Sequence, residues 1–441
     1  MAHLRPLGMS ARGSAKVQTP GPKAASVLSD AFGAAQPMTK QKYGDRLVQL
    51  IESEGRTKEA RRHTEEEFMK LARALALASA VAFGFLGAFM GGAAVAQQAP
   101  KFEIDTSWPK SLPNKWIFGQ IGGIFLDKDD NVWISQRPRT VNDRDKRAER
   151  GDKSICCYTA PSVVEFNQAG DVVKAWGGPK TAQGYDWPQN EHGMFVDYKG
   201  NVWLAGNGDD DGMVLKFTND GKFLMSIGKS AKQTNSLDQT RVGRAADMVV
   251  DQETNELYVA DGYFNHRVVV FDADTGAFKR AWGAYGKPPT DEKITYDPKV
   301  LPQQFSNPVH GIRITADGEV VVSDRGNNRI QVFQKSGTFV REIPVLREST
   351  APGTTGATVF WPDKGQTYWF TSDDPNGQIH VIRRSDGQVV GSFGRVGRGP
   401  GEFENLHNIA IDSKGNIYTA EVQGQRLQRF LYKGGLPAVG Q

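Results

Sequence analysis

The chain has 441 residues, 49 of them glycine and 22 proline, with 39% hydrophobic and 24% charged residues, a composition that excludes a disordered or fibrous protein. Glycine above its usual share, gathered in turn-like clusters, favours many short strands over long helices. Of the 54 basic and 50 acidic residues, 13 and 8 lie before position 97, so the remainder is nearly neutral and lacks the basic stripe of a nucleic-acid binder.

In chain order, residues 1–68 read as a polar, disordered extension, and Met69 directly before Lys70 is the pattern of a misassigned start codon. Residues 69–96 read as a signal peptide. Lys70 and Arg73 supply the basic end, an apolar run follows, and Ala94-Val95-Ala96 closes it as a small-residue cleavage site. Three glutamates, Glu65 to Glu67, separate Arg61-Arg62 from the apolar run and argue against a twin-arginine signal. The expectation is a periplasmic or secreted protein at 97–441, with no stable membrane anchor after signal cleavage.

That part is self-similar, the mark of a propeller or solenoid. Copies begin at Gly122 (GGIFLDKDDNVWIS), His192 (HGMFVDYKGNVWLA), Ala246 (ADMVVDQETNELYVAD), His310 (HGIRITADGEVVVSD), Ala357 (ATVFWPDKGQTYWFTSDD) and His407 (HNIAIDSKGNIYTAE). Third strands VVEF, VLKF, VVVF, IQVF, IHVI and LQRF follow in order, each alternating as a half-buried strand does. Six four-stranded blades result, an all-β six-bladed β-propeller, interrupted by a charged insertion at 137–160 that overhangs the channel mouth as a candidate lid. The last blade lacks a fourth strand, which residues 101–107 can supply, closing the ring without an open edge.

Three of the seven histidines, His192, His310 and His407, occupy one repeat position just before the innermost strand, in blades two, four and six. Alternate blades of a sixfold ring lie about 120° apart, so three imidazoles at one level can form a facial site with a coordination position left open. Gly122 and Ala246 at the same offset leave the centre clear. Neutral imidazole suits Zn²⁺, Cu²⁺, Fe²⁺ or Ni²⁺.

In an antiparallel hairpin the end of the second strand lies beside the start of the first. Arg137 of blade one and Arg325 of blade four share one such offset and face each other across the axis; Tyr263 of blade three is one step further on. Two guanidiniums can hold a carboxylate, and a phenol near a cation can serve as general base. Arg267, Arg329 and Arg426 belong to the repeat grammar and read as structural, as do Asp261 and Asp324. Asp209-Asp210-Asp211 reads as a solvated acidic loop, Trp187 and Trp203 as packing between blades. Adjacent Cys156 and Cys157 can pair with each other, link another chain or bind metal.

The repeat resembles the NHL family of six-bladed β-propellers over most of residues 115–432. More closely, GYFNHR, SNPVHGI with SDRGNNRIQVF, NEHGMFVD, NLHNIAID and VWISQR are similar to the catalytic core of the peptidyl-α-hydroxyglycine α-amidating lyases. That resemblance implies zinc on His192, His310 and His407, Tyr263 as base, and Arg137 and Arg325 as the active-site arginines. It implies a second cation, calcium, on the amide oxygen of Asn408 and backbone carbonyls such as those of Met194 and Ile124. The family has an acidic ligand where this chain has Asn408, and cysteines where it has Phe264 and Val332. The implied reaction cleaves the N–C bond of a small-molecule or peptide α-hydroxyglycine, releasing an amide and glyoxylate. With no hydroxylating domain recognisable in the chain, a related hydroxylated amide or acid is an equal candidate. The rivals are a non-enzymatic binding scaffold and a calcium-dependent lactonase-like hydrolase, the latter disfavoured by the histidine-rich pattern.

Overall fold

The computed structural model describes residues 100–440 except Thr234 and Thr350; the expected extension at 1–68 and signal peptide at 69–96 lie outside the described residues. Six antiparallel four-stranded sheets surround one axis. Their innermost strands are Gln120–Leu126, Glu191–Val196, Asp247–Asp251, Val309–Ile314, Thr358–Phe360 and Leu406–Ile411. Each touches the next, and the sixth touches the first, so the ring is closed. The closure is the expected one. Phe102–Asp105 pairs antiparallel with Leu427–Tyr432, running from Phe102 opposite Tyr432 to Asp105 opposite Arg429.

The repeat grammar has a physical content. Asp197 turns back over its hairpin to accept the backbone N–H of Lys199 and Asn201 and the indole N–H of Trp203 at 2.9 Å. Asp127 does the same for Asp129, Asn131 and Trp133, and Asp412 for Lys414, Asn416 and the Tyr418 hydroxyl. One carboxylate thus satisfies the turn and fixes the aromatic that packs between blades. The turn needs a left-handed residue, Gly200 at φ 80° in blade two and Asp130 at φ 60° in blade one.

The middle strands are almost wholly buried, as in Val202–Gly206 and Met213–Phe217, while the outermost, such as Phe223–Gly228, alternates with solvent. The core lies between blades: Trp133 of blade one packs with Val202, Leu204 and Met213 of blade two. Trp187 and Trp203 are buried there, as expected. Buried ion pairs, Asp261 with Arg267 at 2.8 Å, Asp324 with Arg329 at 2.7 Å and Glu421 with Arg426 at 2.7 Å, latch second strands to third strands. Arg267 also donates to the carbonyls of Ser236, Asp238 and Arg241. These arginines are structural.

The insertion is docked against the first blade. Trp116–Ile117 and Tyr158–Thr159 pair as a short parallel ladder, and Gln136 Nε2 donates to the carbonyls of Ala160 and Pro161. Cys156 and Cys157 are joined to each other by a disulfide.

Candidate metal centre

Each histidine is the second residue of its blade's innermost strand rather than a residue preceding it. The pairing register shifts at that point in all three blades: between Glu191 and Met194, Val309 and Gly311, and Leu406 and Asn408. An irregularity of this kind frees one residue from the ladder and re-aims its side chain, here toward the axis. Blade one has the same shift at Gly122. Around the ring the position reads Gly122, His192, Ala246, His310, Gly356, His407: a small residue separates every pair of imidazoles.

The three side chains meet. Their ligand nitrogens lie within 4.8 Å of one another, ring centroids are 4.6 to 5.1 Å apart, and His310 Nε2 is 3.1 Å from His407 Nε2. Tetrahedral Zn–N bonds of about 2.0–2.1 Å put two ligand nitrogens about 3.3 Å apart, so the trio fits one ion of that size with small adjustment. All three are buried. Burial, then neighbouring positive groups, lowers His192 and His407 well below the usual imidazole range. Burial, with Arg325 and Arg137 behind it, pushes His310 down to about 3. The rings are therefore neutral, the form that binds metal.

Two of the three are oriented by the next blade. His192 Nδ1 donates to Ala246 O at 2.7 Å and His310 Nδ1 to Gly356 O at 2.9 Å. Each bond leaves Nε2 with its lone pair facing the axis. The residues after these histidines, Gly193 and Gly311, are small because the next blade's backbone comes in against them; a Cβ on Gly311 would lie 3.0 Å from Gly356 O. Blade six departs from this. Asn408 follows His407, and its amide Nδ2 donates to Gly122 O at 2.8 Å while lying 3.2 Å from His407 Nδ1. The carbonyl that would orient His407 is taken by the amide. Toward Gly122 O, Asn408 offers a donor, where the expected calcium site asks it for an oxygen.

Tyr263 reaches the same centre. Its hydroxyl donates to His192 Nε2 at 2.9 Å. Burial raises its pKa, opposed first by Arg325 and then by Arg137. Arg137 is 6% exposed; its Nε donates to Glu191 O and its Nη1 to Gln120 Oε1, both at 2.8 Å. Among the described residues no carboxylate forms an ion pair with it. Arg325 differs, since its Nη2 donates to Asp374 at 2.9 Å, and Asn405 Nδ2 donates to the same carboxylate. The two arginines share an offset but not an ionic partner.

Sequence reasoning missed Gln120, Asp374 and the carbonyls of Ala246 and Gly356, none of which stands in a distinctive pattern. It also misread Asp211. That carboxylate is fully buried, accepting the backbone N–H of Gln189, Asn190 and Gly208, and so orders the segment leading to His192; Asp209 alone is exposed, beside Arg244.

A family model described as NHL repeat matches residues 309–333. Peptidyl-glycine alpha-amidating monooxygenase B of Xenopus laevis is 28% identical over 354 residues, 76% of this chain and 36% of that protein. NHL repeat-containing protein 3 of Homo sapiens is 28% identical over 341 residues, 75% of this chain and 84% of that protein. A probable peptidyl-alpha-hydroxyglycine alpha-amidating lyase of Caenorhabditis elegans is 24% identical over 323 residues, 71% and 83% of the two chains. The chain thus spans about a third of the amidating monooxygenase, and it resembles both NHL propellers and amidating lyases.

Proposed function

We propose that this chain is an exported, metal-dependent lyase that cleaves the N–C bond of an α-hydroxyglycine-type amide, or of a related small hydroxylated substrate, to an amide and glyoxylate. The observation that carries the reading is the convergence of three neutral imidazoles, one phenol and a buried arginine that has no ion-pair partner among the described residues on one centre.

His192, His310 and His407 would hold the ion, zinc being the best match to three neutral nitrogens with a position left open. When bound it supplies Lewis acidity toward a substrate oxygen. The remaining work belongs to the protein. Arg137 is a buried cation held by two neutral acceptors, so a substrate carboxylate completes its charge balance and fixes the reacting carbon. Tyr263, entering the step as its phenolate after releasing its own proton to solvent, takes the proton of the α-hydroxyl. As the C–O bond becomes a carbonyl, the N–C electron pair leaves with nitrogen, and the same phenol returns the proton to it. Arg325 and Arg137 favour that starting phenolate, and the burial that raises the Tyr263 pKa makes it the stronger base toward the α-hydroxyl.

The test is elemental analysis of the purified protein and of His192→Ala, His310→Ala and His407→Ala, with glyoxylate release from an N-acyl-α-hydroxyglycine. One ion per chain, lost in each variant, and release abolished by Tyr263→Phe are expected. Metal-free protein of unaltered stability would instead favour a binding scaffold.

A further inference from the structure

In blade one, lined in part by the two residues that follow Arg137, lies a cleft of about 790 Å³ between the 137–160 insertion and the segment following the fourth strand. This is within the usual range for small-molecule sites. Its aromatic wall is Trp116 and Tyr158, directly opposite each other in the parallel ladder that docks the insertion. Its charged groups are Arg139, Lys146 and Lys180 against the single acid Glu149, and Glu149 already accepts the Thr159 N–H. The cleft therefore pairs an aromatic wall with a rim of net positive charge, in which Lys146 also lies 3.6 Å from Asp143.

Its continuity with the centre is covalent and through hydrogen bonds. Pro138 and Arg139, which line it, directly follow Arg137. Arg139 Nη1 donates to the carbonyls of Pro188 and Gln189 and approaches Glu191 at 3.8 Å, in the stretch that enters the His192 strand. Ala160 and Pro161, also lining it, are held by Gln136, the neighbour of Arg137. A substrate whose carboxylate sits on Arg137 has one other end, the acyl group of the leaving amide, and Pro138 and Arg139, the residues that follow Arg137, line this cleft.

From this arrangement we infer that the cleft is the acyl subsite and selects substrates whose acyl group is aromatic and carries an anionic group at its far end. The inference rests on the lyase reading for the orientation of the substrate. The ring lies against Trp116 and Tyr158, and the distal anion meets Lys180 and Lys146. Ring stacking and rim charge act on different parts of one ligand, so they are separable by substitution.

The test uses the full chain and two stable probes lacking the α-hydroxyl, N-acetylglycine and N-(4-carboxycinnamoyl)glycine, titrated by calorimetry. The wild-type protein is expected to bind the aromatic probe at least about ten-fold more tightly, with Lys180→Glu and Tyr158→Ala each cutting that ratio about five-fold. Both side chains are solvent-exposed, and unchanged circular dichroism establishes folding of the variants. Equal affinities for the two probes, or a ratio indifferent to both substitutions, overturns the subsite. A preserved ratio without glyoxylate release from N-(4-carboxycinnamoyl)-α-hydroxyglycine sinks the lyase reading instead and leaves the cleft as an aromatic-anion site.

Discussion

Replacing Arg137 with methionine isolates carboxylate recognition as the loss on the acid beyond the loss on its ester, the common part measuring the support Arg137 gives the Tyr263 phenolate. The guanidinium is 6% exposed, and its two observed side-chain partners are a backbone carbonyl and the Gln120 amide. Removing one partner of a buried charge pair costs about 2–5 kcal/mol, and about 3 kcal/mol corresponds to roughly a hundred-fold loss. Arg137→Met should therefore lower kcat/KM for an N-acyl-α-hydroxyglycine about a hundred-fold more than for its methyl ester, which has no carboxylate. Stability should move in the other direction or not at all, because the variant removes a buried cation that the free protein leaves without an ionic partner. Arg325→Met supplies the contrast: it strips Asp374 of its partner at 2.9 Å, so it should lower stability and treat acid and ester alike. Steady-state kinetics on both substrates with chemical denaturation decide the matter. Equal losses on acid and ester in Arg137→Met would refute the assignment of the carboxylate to this residue.

Metal retention, followed by competition with a chelator, should stay level from about pH 7.5 to about pH 5. His310 is pushed down to about 3 and its two partners are lowered too, so no ligand needs to lose a proton over that interval, whereas three ordinary imidazoles would each forfeit about 1.5 decades; a steep decline would mean that the site is wetter than described. Asn408→Asp should destabilise the protein in chelator, since an oxygen then faces Gly122 O, and added calcium should restore the loss; thermal melts equal to wild type in chelator would contradict the amide bridge. Asp261→Asn should cost about 3–5 kcal/mol by leaving Arg267 buried without its carboxylate, read by urea unfolding, and a loss below about 1 kcal/mol would show the latch to be dispensable.

Much of the architecture was legible because the repeat is written in side chains that act within their own blade. Asp197, Gly200 and Trp203 satisfy one hairpin, so their spacing recurs wherever the hairpin does. His192, His310 and His407 were legible for a different reason, since phase around a ring converts sequence position into angle. What escaped were partners set by the approach of one blade to the next. Ala246 O and Gly356 O are backbone atoms that any residue would carry, and Asp374 ends a run, TSDD, that reads as ordinary turn grammar. Asp211 was misread because an acidic triplet looks solvated until the loop at 188–190 is folded over it.

The threefold pattern is itself imperfect, and the imperfection is informative. Blades two and four place glycine after histidine, which lets the neighbouring backbone close in and hand its carbonyl to Nδ1. Blade six places Asn408 there, and the amide takes the carbonyl. Two imidazoles are thus locked by neighbouring carbonyls, whereas His407 meets the Asn408 amide and packs against His192 and His310. A ring built from near-identical blades would by itself present three equivalent ligands to an ion. One substituted position makes the third imidazole distinct, and it lies in the blade whose sheet is completed by the strand at Phe102–Asp105.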